Sequence, residues 1–177
     1  MPDEPGFRHE VLEGALIREP SPSVRHQRVS TRLQEALRDY FRTADPDGEV
    51  LSAPLDVVLS DNTVVQPDLL YIPGSDAAVF AETHVFVAPR LVVEILSPAT
   101  ASKDRLQKME IYRKAGIEHY WIADPDANTL EAFALRDSYY ARVAAAAKDD
   151  ILTHPGFPGL EVPAAHIFPQ KPPQSSD

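Results

Sequence analysis

Val29, Leu33, Leu37 and Phe41 recur every four residues, the spacing of a helix that turns one apolar stripe toward a core. Ser21 or Ser23 can cap its start, with Pro22 between them, and Asp45-Pro46-Asp47-Gly48 stops it. Ahead of it, residues 9–17 divide at Glu13-Gly14 into two short strands of a hairpin. Behind it, 50–59 reads as one strand, 60–63 as a turn and 64–72 as a second strand. Pro67 lacks the N–H that a ladder needs, so that second strand is expected at an edge or beside a bulge. Residues 73–89 read as a loop with room for a short helix.

The run 91–96 is the best buried strand of the chain, closed by Ser97-Pro98. A helix over about 102–115 follows, with Gly116 just past its end. Then come a strand at 119–123, a turn at 124–128, strands at 129–135 and 138–143, and a mostly extended stretch at 157–168. The order is helix, three strands, helix, strand, hairpin. It predicts an α/β (α+β) architecture, a mixed central sheet flanked by helices with additional β-hairpins. Residues 1–168 are expected to form a single domain, with the polar, Pro-rich 169–177 as a disordered tail.

Two acids break this apolar pattern. Asp68 lies inside VVQPDLLYI and Glu94 inside LVVEILS. A carboxylate buried in a sheet costs several kcal/mol unless compensated, and two on neighbouring strands repel each other. A divalent cation, or a nearby Lys or Arg, is the natural remedy. The two acids are therefore expected to face one common pocket.

Composition narrows the reading. The chain has 177 residues, 44% of them apolar, no cysteine and a formal net charge of −10. No thiolate metal site or disulfide can form, no apolar run is long enough for a membrane helix, and the acidic start does not resemble an export signal. A cytoplasmic protein without a membrane partner is expected. The charge argues against a protein that coats nucleic acid, yet eleven of the 17 Lys and Arg residues fall in 18–42 and 103–114. Two basic helix faces can touch a nucleic acid locally, or can simply be solvated.

On the second helix, Asp104, Lys108, Ile111, Tyr112 and Ala115 share one stripe. Lys108 can thus point at the strand-borne acids, or form only a surface pair with Asp104. His26 shares the apolar stripe of the first helix and faces inward, where it can serve a site or simply be a satisfied core or capping residue. Gln66, two residues before Asp68, points to the same side, where it can orient a water or bond within the sheet. Such a set suits phosphodiester hydrolysis assisted by Mg²⁺ or Mn²⁺. Asp68, Glu94 and the backbone carbonyl of Ile95 would be the ligands, and Lys108 would orient the water or stabilise developing charge. The phosphate loops, dinucleotide fingerprints, nucleophile elbow and HExxH of other enzyme classes are absent.

SPSVRHQRVSTRL, VVQPDLLYI, LVVEILSPAT, Asp104, Lys108, Tyr112, Gly116, YWIAD and FPGLEVPAAHIF together resemble the Uma-two (Uma2) family of restriction-endonuclease-like proteins. The likeness runs from about residue 9 to 168. It implies the PD-(D/E)XK nuclease superfamily, an αβββαβ core, and Asp68 and Glu94 as the first and second metal-binding acids. That superfamily places lysine two residues after the second acid, where this chain has Leu96. Lys108 is the relocated equivalent the resemblance suggests, with Lys103 as the weaker candidate, and His26, Gln66 and Asp104 match recurrent positions. The resulting expectation is a metal-dependent DNA endonuclease acting through a metal-bound water, with a homodimer placing two sites on two strands. The alternative is a non-catalytic interaction protein that reuses the fold.

Overall fold

A computed structural model describes residues 6–79, 84–86, 88–98 and 100–168. In chain order come β1 (Phe7–Leu12), β2 (Ala15–Pro20), α1 (Val24–Ala44), β3 (Glu49–Ser52), β4 (Asp56–Ser60), β5 (Thr63–Val65), β6 (Leu69–Ile72), a 3₁₀ turn at Gly74–Val79, β7 (His84–Val85) and β8 (Leu91–Ile95). A second helix covers 101–114. It opens at Ala101–Lys103, widens to a π-helical turn at Asp104–Lys108 and continues at Met109–Lys114. Beyond it lie β9 (His119–Asp124), β10 (Thr129–Arg136), β11 (Tyr139–Ala147), β12 (Ile151–His154), β13 (Phe157–Pro163) and a last helical turn, Ala164–Ile167.

The strands form three sheets. The largest has the order β11-β10-β9-β8-β6-β3, and a smaller one the order β2-β1-β5-β4-β7. Among the described strands β12 and β13 pair only with each other. Within the large sheet β8 and β9 are parallel, joined by the second helix as a crossover, and the other neighbours are antiparallel. The result is a mixed α/β protein with several sheets and few helices.

Several boundaries follow the expected chemistry. Glu13 and Gly14 both take positive φ, the two-residue turn that matches strand twist. Ser23, rather than Ser21, caps α1, its side chain accepting from the His26 N–H at 3.2 Å. Gly116 adopts φ 75°, and the bonds Ile117 N to Tyr112 O and Gly116 N to Arg113 O close the second helix in a Schellman arrangement.

Others differ. The single strand expected at 50–59 is two, β3 in the large sheet and β4 in the small one, broken at Ala53-Pro54. The strand expected at 64–72 is likewise β5 and β6, broken at Gln66-Pro67-Asp68. A proline has no ladder donor, so each strand ends there and the chain changes sheets. Asp68 therefore precedes β6 instead of lying within it, at a junction where backbone groups and side chains are free of the ladder. The hairpin strand β12 was not expected, and β11 runs further than 138–143 because Ala144 to Ala147 stay paired with β10. The expected tail at 169–177 lies outside the described residues.

The large sheet separates two apolar clusters. On one face Leu69, Tyr71, Leu91, Val93, Ile95, Trp121 and Ala123 meet Val29, Leu33, Leu37 and Phe41 of α1. On the other Leu70, Ile72, Val92, Leu96, Tyr120 and Ile122 meet Ile111 and Tyr112 of the second helix and Leu12, Val57 and Val65 of the small sheet. Period-two alternation assigns each strand residue to its face. Among the described residues no helix is long and apolar enough to cross a membrane.

Candidate active site

Leu69 pairs with Val93, so Asp68 and Glu94 come opposite each other one step further along β6 and β8. Glu94 shares its face with Val92 and Leu96, and Asp68 sits two residues before Leu70, on that same side. Both carboxylates are buried. Each has been given partners by a different part of the chain.

Asp68 accepts from the Ile95 backbone N–H at 2.8 Å and from Arg8 Nη1 at 2.8 Å, and its Oδ2 lies 3.0 Å from His26 Nε2. His26 is held there by its place in the capped first turn of α1. Burial alone would raise the Asp68 pKa, but the His26 contact and the Arg8 charge outweigh it and bring it down to about 2.

Glu94 has the opposite environment. Its Oε1 accepts from Lys108 Nζ at 3.0 Å and from the Tyr112 hydroxyl at 2.5 Å. Burial pushes its pKa up to about 8, and Asp104, Asp68 and Glu10 add to that rise while Lys108 opposes it. Lys108 also lies 2.9 Å from Glu10 Oε1 and 3.7 Å from Asp104 Oδ1. Its side chain is 3% exposed, so the surface pair with Asp104 is ruled out as its role. The π-helical turn inserts Asp104 and Lys108 together into the interior, while Leu106 stays exposed.

Around these lie Glu19, which contacts Lys103 and stands 3.7 Å from Arg8 Nη2, and Lys103 itself, 3.9 Å from Glu10. Lys103 thus serves the hairpin acids, and Lys108 is the lysine that reaches Glu94.

A cavity of about 420 Å³ opens beside Asp68, lined among others by Arg8, His26, Gln27, Thr31 and Gln66. Glu94 does not line it. The expectation that both acids face one pocket is therefore half corrected: they share a face, but Lys108 and Tyr112 cover Glu94 while Asp68 borders the opening. Gln66 borders it too, with its amide donated to Asp56 Oδ1 at 2.7 Å and its backbone N–H to Glu10 Oε1 at 2.8 Å. These bonds tie it to β4 and β1, while its position still borders the cavity. Asp124, at the end of β9, caps its turn by accepting from the N–H groups of Asp126 and Ala127.

The family model described as "Putative restriction endonuclease", Uma2, matches residues 1–165. The chain belongs to the Uma2 family. The solved structure of a putative nuclease belonging to DUF820, from Anabaena variabilis, superposes with a TM-score of 0.75 at 18% identity, over 95% of this chain and 93% of that one. That likeness shows a common fold. No curated protein matches.

Sequence reasoning missed three members of the cluster in this Uma2 chain: Arg8, Glu10 and Glu19. A signal was present. The turn at Glu13-Gly14 sets the hairpin register, which places Arg8 opposite Glu19 and Glu10 opposite Ile17. Arg8, Glu10 and Leu12 alternate along β1 with Leu12 in the core, so the charges at 8 and 10 point inward as well.

The donor set fits a hard divalent cation. Among the described residues the five buried acids Glu10, Glu19, Asp68, Glu94 and Asp104 form ion pairs with Arg8, His26, Lys103 and Lys108. Glu10 Oε2 and Asp104 Oδ1 find no hydrogen-bond donor among the described residues. Burial and neighbouring like charge push Glu94 and Asp104 toward protonation, a cost that a cation would relieve, so these oxygen donors suit Mg²⁺ or Mn²⁺. As the side chains stand, however, no three His, Asp or Glu among the described residues converge as metal ligands. Arg8 stands between Asp68 and Glu19, and Lys108 between Glu94 and Glu10.

Proposed function

We propose that this Uma2 protein is a Mg²⁺- or Mn²⁺-dependent DNA endonuclease built on a restriction-endonuclease-like core. The supporting observation is the cross-strand pair of buried acids with Lys108 on the second one. The order α1, β3, β6, β8, second helix, β9 follows the αβββαβ plan, with β4, β5 and β7 as excursions into the small sheet. Asp68 and Glu94 would hold the cation, with the Ile95 carbonyl beside them. Bound there, it would supply an activated water and neutralise charge on the phosphate.

The chain's own groups do the remaining work. Lys108 holds Glu94 in place and brings a fixed positive charge to the acid cluster. His26 fixes one oxygen of Asp68 through Nε2, and its Nδ1 is buried without a hydrogen-bond partner among the described residues. A shallow groove lined by Gln27, Arg28, Thr31 and Arg32 continues from the cavity along α1 and offers two guanidinium groups to a phosphate chain. One observation favours the second reading, an interaction protein without catalysis: both oxygens of Asp68 already have protein donors.

The test is cleavage of supercoiled, linear and single-stranded DNA in Mn²⁺ and in Mg²⁺, with Asp68→Asn and Glu94→Gln checked for folding. The expected result is strand scission that both variants lose by at least about 10³-fold. Lys103→Ala should retain cleavage, and Lys108→Met, checked for folding like the others, should lose it. Absence of scission by the wild type, or undiminished scission by Glu94→Gln, leaves the interaction reading in its place.

A further inference from the structure

Arg8 is the one Lys or Arg among the residues that line the 420 Å³ cavity. Its Nη1 is spent on Asp68 Oδ1 at 2.8 Å, its Nη2 lies 3.7 Å from Glu19, and its Nε is buried without an acceptor among the described residues. A guanidinium is shaped to take two oxygens of a phosphate, and this one is held at the mouth of the cavity by the acid that the proposed reaction needs. A divalent cation on Asp68 would stand beside the guanidinium, and the two positive charges repel, so they compete for this carboxylate.

We infer that Arg8 couples metal binding to phosphodiester binding: it is the resting counter-ion of Asp68, and it releases that acid when a phosphate takes the guanidinium. This rests on Asp68 being a metal ligand. Two competitions share the residue. The cation competes with Arg8 for Asp68, and Asp68 competes with the phosphate for Arg8. Each ligand therefore removes the other's competitor, and by linkage each tightens the other's binding by the same factor. Glu19 keeps the released side chain near the cavity, and the surplus of buried acids lets Asp68 lose one positive neighbour to another. The protein would thus hold metal firmly only where a phosphodiester is present.

The experiment measures free Mn²⁺ by electron paramagnetic resonance during titration of the full chain, with and without dimethyl phosphate as a minimal phosphodiester. For the wild type, Mn²⁺ affinity should rise at least about fivefold with dimethyl phosphate. For Arg8→Gln, confirmed folded by circular dichroism, Mn²⁺ should bind at least about fivefold tighter than to the wild type without dimethyl phosphate, and should no longer respond to it. Equal Mn²⁺ affinity in wild type and Arg8→Gln, or a wild type indifferent to dimethyl phosphate, overturns the coupling while leaving Asp68 as a ligand. Absence of Mn²⁺ binding in both proteins overturns the metal reading and the coupling with it. The wild-type arm needs no variant, so misfolding of Arg8→Gln does not shelter the inference.

Discussion

The two faces of the large sheet are made by the same strands and meet opposite demands. In β8, Leu91, Val93 and Ile95 turn toward α1, and Val92 and Glu94 turn toward the second helix. The α1 face is filled by Leu33, Leu37, Phe41 and Trp121, whose burial stabilises without regard to direction. The opposite face buries Asp68, Glu94, Asp104 and Lys108. Charges there lose hydration and recover it only through complete pairing, which is often no better than an apolar replacement. One face is explained by stability, and the other needs a different reason for its residues.

The largest expected effect breaks the charged face. Lys108→Met leaves Glu94 and Glu10 without their shared cation, and should lower the unfolding free energy in urea by about 3–5 kcal/mol. The double variant Lys108→Met/Glu94→Gln should recover much of that loss, since both charges of the pair leave together. If the single variant costs under about 1 kcal/mol, the cluster is not closed by Lys108 and the contrast between the faces fails. On the apolar face, Leu33→Ala should cost about 3 kcal/mol, and the same amount in low and high salt. Salt dependence of that variant would show the two faces to be coupled.

How far the sequence revealed these faces depends on the length scale of the cause. α1 was legible because its stripe, its Ser23 cap and its stop are all local. Asp68 and Glu94 were legible because an acid inside an apolar run is conspicuous in one window. The split of 50–59 and 64–72 between two sheets was not, because Pro54 and Pro67 say where a strand stops and not which sheet receives the next one. Lys108 was placed correctly on its stripe, yet its burial depends on the π-helical turn, which no residue type announces. Arg8 and Glu19 were missed because a short, polar hairpin reads as surface until the small sheet folds over the large one.

A third effect concerns pH. His119 and His154 pack against each other and against Phe157 on the α1 side, with ring centroids of the two histidines 4.8 Å apart. Burial brings both pKa values down to about 4, and nearby Arg136 adds to it in each. The unfolded chain takes up these protons near the ordinary histidine value, about 6.5, so it binds more protons than the native state between pH 6.5 and 4. Stability should therefore fall as pH is lowered through that window, by about 1 kcal/mol for each ring after allowance for solvent screening. His154→Gln should flatten this part of a melting-temperature profile. Asp68 acts lower: its depressed pKa contributes stability above about pH 4 that is lost as pH approaches 2.

The smallest effect is the sharpest comparison, because distance is held constant. Arg8 to Asp68 and Arg25 to Asp126 are both 2.8 Å ion pairs. The side chains of the first are 18% and 4% exposed, and those of the second 54% and 69%. In the exposed pair, water screens the attraction and two long side chains lose freedom, so Arg25→Ala should change stability by less than about 0.5 kcal/mol. The value should approach zero in 1 M salt, where the screening length is about 3 Å. Arg8→Ala, removed from beside a buried carboxylate, should cost more and keep most of its cost in salt. Equal, salt-sensitive losses for the two would mean that the hairpin opens to water in solution and that Asp68 is solvated from the cavity. In that case the burial argument for a cation beside Asp68 would have to yield to simple hydration.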